Sequence, residues 1–142
     1  MKRIIVDTGV WYACFDKTDE NYPYSNRILS VLQFSVIIVP FPTLYETLNT
    51  RFVKNTYGQM DSLNSFLSVP ERVHLVSDTK YKEKALLSVL SNVEKKKHYS
   101  LVDLIIRLMM EDTSLGEKAV MTFNVGDFMG VNNTELINPR CL

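Results

Sequence analysis

At 142 residues the chain is sized for one compact domain, because a single hydrophobic core usually serves roughly 100 to 200 residues. A hydrophobic share of 46% beside 23% charged residues excludes a disordered or membrane-embedded composition, and no apolar run approaches the roughly 18 to 20 residues that span a bilayer. The 16 basic and 16 acidic residues cancel, so any attraction for nucleic acid must come from local clusters and not from bulk charge.

Met1-Lys2-Arg3 leads into Ile4-Ile5-Val6, a β-branched run that predicts a first strand. Asp7 ends it after three apolar residues, too few for the roughly 7 to 15 of a signal-peptide core, so export is not expected. A helix is expected from near Val10, then a polar connection from Asp16 to Pro23 and helical spacing over 22–33. Val36-Ile37-Ile38-Val39 predicts a second strand, followed by helices over 43–54 and 58–68. Val73-His74-Leu75-Val76 predicts a third strand and 79–92 a helix, with a polar connection from Glu94 to Tyr99. A helix over 101–112, a strand at Ala119-Val120-Met121-Thr122 and a short last strand at Glu135-Leu136-Ile137-Asn138, stopped by Pro139, complete the chain. Short, mostly apolar strands alternating with helices predict an α/β fold: a central parallel sheet flanked by helices, in one domain over 1–142. Cys14 and Cys141 lack the closely spaced partners of a disulfide framework or zinc site, so a reducing, cytoplasmic home is expected.

Open parallel sheets bind ligands beyond the carboxyl ends of their strands. Asp7 sits at such an end, before Thr8 and Gly9, where Gly9 would let a ligand approach the backbone. Thr43 with Glu46, and Ser100 with Asp103, have the spacing of a helix N-cap and an acid in the first turn, which would bring Glu46 and Asp103 to the same rim. A purely structural account exists for each: Asp7 as a helix cap, Glu46 as a capping-box acid, and Asp103 paired one turn on with Arg107. Together the three acids point elsewhere. Crowded carboxylates repel unless a proton or cation intervenes, and Mg²⁺ or Mn²⁺ prefers such oxygen ligands and can promote hydrolysis of a phosphodiester by water.

Other chemistries lack their residues. No glycine-rich phosphate loop, nucleophile elbow or dinucleotide fingerprint occurs, and His74 and His98 lack metal-ligand spacing. Trp11 and the methionines fall among apolar neighbours and are expected to pack. Arg51 and Lys54, after Glu46, and Lys95, Lys96 and Lys97, before the Asp103 helix, are candidate phosphate contacts or solvated charge. Tyr12, Tyr45 and Tyr99 flank the acids and could stack on bases or pack.

In four segments the sequence resembles the PIN-domain nucleases, in particular VapC-type toxins: Ile5-Val6-Asp7-Thr8, Pro42-Thr43-Leu44-Tyr45-Glu46, Tyr99-Ser100-Leu101-Val102-Asp103, and Met121 through Phe128 with its Thr122, Asn124 and Asp127. The order of the segments, which span nearly the whole chain, carries the resemblance. It implies a Mg²⁺- or Mn²⁺-dependent endoribonuclease with metal-binding acids at Asp7, Glu46, Asp103 and a fourth position. Asp127 is the assigned fourth acid, because the Thr122-to-Phe128 pattern and Asn138-Pro139 match relatives that carry Asn at the position of Asn124, where others have aspartate. Thr8, Ser100, Thr122 and Asn124 would support the acids or bind water. The resemblance further implies RNA as substrate, a homodimer and, for a toxin, a small protein antitoxin. The competing expectation is a PIN-like module that binds RNA or protein without cutting. A small-molecule phosphatase with Asp7 as nucleophile ranks last, since Thr8-Gly9-Val10 supplies no second acid.

Overall fold

The computed structural model describes residues 1–54, 58–91, 98–132 and 134–142. Five strands, β1 (Arg3–Val6), β2 (Val36–Pro40), β3 (Val73–Val76), β4 (Ala119–Met121) and β5 (Glu135–Ile137), form one sheet in the order β3-β2-β1-β4-β5. Every pairing is parallel; Ile4 stands opposite both Ile37 and Ala119, and Ile5 opposite Ile38 and Val120. All five predicted strands are present, within a residue of their expected ends.

Side chains on a strand alternate between faces, so each central strand feeds two cores. Ile4, Val6, Ile37, Val39 and Met121 face a layer containing α1 (Thr8–Phe15), α2 (Ser25–Leu32) and α5 (Gln59–Leu67). Ile5, Ile38 and Val120 face the other layer, built from α6 (Lys82–Ser91) and α7 (Leu101–Glu111). The result is the expected single domain, a parallel sheet between two helical layers. Trp11 is wholly buried against Phe15 and Phe66, and Met109 and Met121 are fully covered, so these residues pack as anticipated, whereas Met1 and Met129 are exposed and do not. Among the described residues no helix is long and apolar enough to cross a membrane.

Two helices depart from expectation. The stretch 22–33 opens with a 3₁₀ turn, Tyr22–Tyr24, because Pro23 tolerates a first turn but not an α-helical interior. The helix predicted over 43–54 begins earlier and is broken into α3 (Phe41–Thr47) and α4 (Thr50–Val53). Pro40 is the extended N-cap, Pro42 lies in the first turn where its missing N–H costs nothing, and the Thr43 hydroxyl donates back to the Pro40 carbonyl at 2.7 Å. Thr43 is therefore inside the helix and is not its cap. Glu46 consequently falls in the last turn of α3, and the capping-box account of it is withdrawn.

In this order the chain leaves β1 first toward β2 and β3, and later toward β4 and β5 on the other side. The change of direction opens a crevice at the carboxyl ends of β1 and β4. Asp7 follows β1 and Thr122 follows β4, so the topology alone delivers both to that crevice.

Candidate active site

Asp7 caps α1 with its carboxylate, which accepts from the Thr8 N–H at 2.8 Å, while its own N–H donates to the Met121 carbonyl of β4. The other carboxylate oxygen accepts from the wholly buried Thr122 hydroxyl at 2.8 Å, and that hydroxyl accepts in turn from the Asn124 N–H. Asp7 is 8% exposed, and burial, with smaller contributions from the charges of Asp103 and Glu46, pushes its carboxyl up to about 6 against the two hydrogen bonds.

Glu46 is exposed and accepts from the Thr8 hydroxyl at 2.8 Å, so Thr8 joins the Asp7 and Glu46 segments. The turn behind Glu46 is fixed by two residues whose role was not legible in the sequence. The Tyr12 hydroxyl donates to the Glu46 carbonyl at 2.6 Å and accepts from the Asn49 amide, which also donates to that carbonyl. Asn49 simultaneously caps α4 by accepting from the Phe52 N–H. An Asn directly before a short helical run was the available signal; the Tyr12 hydroxyl, expected to stack or pack, had none.

Asp103 lies in the first turn of α7, where Ser100 caps the helix and accepts from the Asp103 N–H, as predicted. Burial raises the Asp103 carboxyl, the Ser100 hydroxyl and N–H hold it down, and the charges of Asp127 and Glu46 raise it further. Arg107 does not pair with Asp103, contrary to the structural account of that acid. It donates to the carbonyls of Asp127 and Met129. Asp127 ends a 3₁₀ turn, Val125–Asp127, anchored by the buried Phe128. Asn124 is exposed and its side chain makes no capping bond.

Asp7 and Glu46 are thus joined through Thr8, Asp7 is bound to Thr122 beyond β4, and the charges of Asp103 and Glu46 reach Asp7 as those of Asp127 and Glu46 reach Asp103. Their oxygen-only chemistry suits a hard divalent cation. Among the described residues, however, no three His, Cys, Asp or Glu side chains converge tightly enough to form a closed ligand set.

Arg51 is largely exposed, donates to the Thr18 hydroxyl at 3.1 Å and stands 3.8 Å from the buried Asp16 carboxylate; Lys54 is exposed. Lys95, Lys96 and Lys97 lie outside the described residues. Gly9 sits in α1, where an added Cβ would meet the Phe123 ring at an ordinary 3.9 Å, so the protein's own packing does not require glycine there. His74 is exposed on the edge strand β3.

The fold is a parallel α/β domain with Asp7 at its topological switch point. No protein-family model matches the sequence, and no curated protein is significantly similar to it. Solved structures are similar in fold. VapC20 of Mycobacterium tuberculosis, described as a sarcin-ricin loop cleaving toxin, superposes with a TM-score of 0.65 at 20% identity over 93% of this chain and 97% of that one. VapBC2 from Rickettsia felis, solved with a DNA fragment from its promoter, gives 0.59 at 17% over 96% and 98%. FitAcB from Neisseria gonorrhoeae gives 0.62 at 16% over 98% and 99%. The chain has the VapC-type PIN-domain fold across nearly its whole length.

Proposed function

We propose that the protein is a divalent-cation-dependent endoribonuclease and the toxin of a toxin-antitoxin pair. The observation that carries this reading is the joining of acid-bearing segments at the carboxyl end of the central strand, where Asp7 accepts from the Thr122 hydroxyl beyond β4 and the Thr8 hydroxyl donates to Glu46. Further support comes from the likeness in fold to a toxin described as cleaving the sarcin-ricin loop and to a VapBC assembly.

Asp7, Glu46, Asp103 and Asp127 would hold Mg²⁺ or Mn²⁺. The chemistry such a cation supplies is Lewis-acid activation of water and screening of charge on the phosphate. Thr122 and the Thr8 N–H fix the two oxygens of Asp7, the Thr8 hydroxyl orients Glu46, and Ser100 orients Asp103, so the acids can align an attacking water. Arg51, Lys54 and the lysines at 95–97 are assigned to the RNA backbone. A homodimer, a small protein antitoxin and a cytoplasmic location complete the proposal, with residues 1–142 as one nuclease domain.

The test incubates wild type, Asp7→Asn and Asp103→Asn with labelled RNA and DNA in Mn²⁺, Mg²⁺ or chelator. Cutting of RNA that requires metal and falls by at least roughly 100-fold in each variant is expected. Metal-independent cutting, or equal activity in the variants, rejects the mechanism. A second reading, a PIN-like module that binds RNA or protein without turnover, is favoured by the open spacing of the acids. Metal binding without cleavage of any RNA offered would select it.

A further inference from the structure

Arg107 lies one turn beyond Asp103 on α7, within reach of an i,i+4 ion pair. Its guanidinium turns away. Nη1 donates to the main-chain carbonyl of Asp127 at 3.1 Å and to that of Met129 at 2.9 Å, and the guanidinium carbon lies 4.5 Å from the centre of the Tyr99 ring. Among the described residues no ion pair involves it.

Each contact touches a segment that carries part of the acid rim. Tyr99 precedes Ser100, the cap that orients Asp103; Asp127 and Met129 flank Phe128, which is buried in the layer packed by α7. Asp103 stands one turn before Arg107 on α7 and Asp127 offers its own main-chain carbonyl to the guanidinium, so Arg107 joins the two acid-bearing segments directly. A carboxylate partner for Arg107 would consume the acceptor sites that a cation needs. Main-chain carbonyls tie the same two segments together and leave both carboxylates available, with Nη1 shared between the two acceptors.

We propose that Arg107 is a positioning residue of the cation site, clamping the 125–129 loop to α7 so that Asp127 and Asp103 face one divalent ion. The inference rests on the nuclease reading of the rim but makes a claim that reading does not contain.

The experiment uses the full chain as wild type, Arg107→Met, Arg107→Lys, Asp127→Asn and the double variant Arg107→Met/Asp127→Asn. Calorimetry reads Mn²⁺ affinity, RNA cleavage reads kcat and KM, and hydrogen exchange reads the amides of residues 125–129. Arg107→Met is expected to weaken Mn²⁺ binding by about tenfold, as loss of a supporting contact does, with Arg107→Lys in between. The double variant should bind no worse than Asp127→Asn alone, because the clamp acts through that acid. In cleavage the loss should appear in kcat at saturating RNA. Losses that add in the double variant, or Mn²⁺ affinity unchanged in Arg107→Met, overturn the proposal; if Arg107→Met does not fold, the Arg107→Lys comparison decides on the same criteria. If wild type neither binds Mn²⁺ nor cuts RNA, the nuclease reading fails. The clamp then stands or falls on exchange alone: faster exchange at 125–129 in Arg107→Lys supports it, and unchanged exchange removes it.

Discussion

Asp7 shows how a single side chain can be costly to stability and necessary to a site. Its carboxyl, about 6 in the fold against 3.8 as reference, is disfavoured in charged form by burial first and by two neighbouring acids second. The folded state therefore holds a proton between those values that the unfolded chain has released, so stability falls as pH rises from about 4 through 6 and the loss is complete above that window. In chelator at pH 7.5, Asp7→Asn should be more stable than wild type by on the order of 2 kcal/mol, a gap that vanishes near pH 4, while losing cleavage. Denaturation midpoints at the two pH values check this; a variant less stable than wild type at pH 7.5 contradicts it. Asp112 has the opposite sign. Lys80, Tyr81 and the Ser114 hydroxyl and N–H stabilise its carboxylate and hold it well below the usual range, at the far end of α7 from Asp103. Its contribution is present above the ordinary carboxylate value and is lost as pH falls below about 4. Asp112→Asn should destabilise by about 1 to 2 kcal/mol at neutral pH and leave activity per folded molecule unchanged.

At the scale of elements, the break between α3 and α4 matters most. Leu48 leaves helical geometry and Asn49 starts the next helix, its amide bridging the Tyr12 hydroxyl and the Glu46 carbonyl. Asn49→Ala removes a cap and both bridges, so a loss of about 1 to 2 kcal/mol is expected. Tyr12→Phe should cost about 1 kcal/mol and lower kcat more than it raises KM, because the turn behind Glu46 loosens while phosphate contacts remain. Equal kcat in Tyr12→Phe would show that the turn is held without it. The central strands β1, β2 and β4 were legible because segments buried on both faces read as short apolar runs, whereas the edge strands β3 and β5 carry exposed His74 and Glu135 and were marked by their remaining apolar residues. The start of α3 was misread: Thr43 three residues before Glu46 has the spacing of a cap, but Pro40 and Pro42 fix the backbone two residues earlier and the tertiary context of β2 wins. Arg107 shows the same limit within the site. Local periodicity offers Asp103 as its partner, whereas carbonyls twenty residues distant in the chain take it, and only the folded loop reveals them.

At the scale of the molecule, the acids proposed as ligands derive from positions 7, 46, 103 and 127, and the sheet order sets where their segments lie. Asp7 after a strand and Asp103 in a first helical turn were visible in the sequence; Glu46, expected in a first turn, sits in a last one, and the bond from Thr122 to Asp7 depended on the pairing of β1 with β4. A cation held there would join segments that the unfolded chain keeps far apart, so it should bind the native state alone and stabilise by RT ln(1 + [L]/Kd), about 2.7 kcal/mol at a hundredfold excess over Kd. For a chain of this size that is a rise in thermal midpoint of roughly 5 to 10 °C. Because Asp7 must give up its proton to act as a ligand, the rise should be small at pH 5 and full at pH 7.5, above the value of about 6. Asp7→Asn and Asp103→Asn should abolish most of it, whereas Asp112→Asn should keep it. Thermal scans in Mn²⁺ against chelator, at both pH values and in all three variants, separate this from binding to scattered surface acids. A shift of equal size in every variant, or one that grows as pH falls, means that the cation sits somewhere other than the rim.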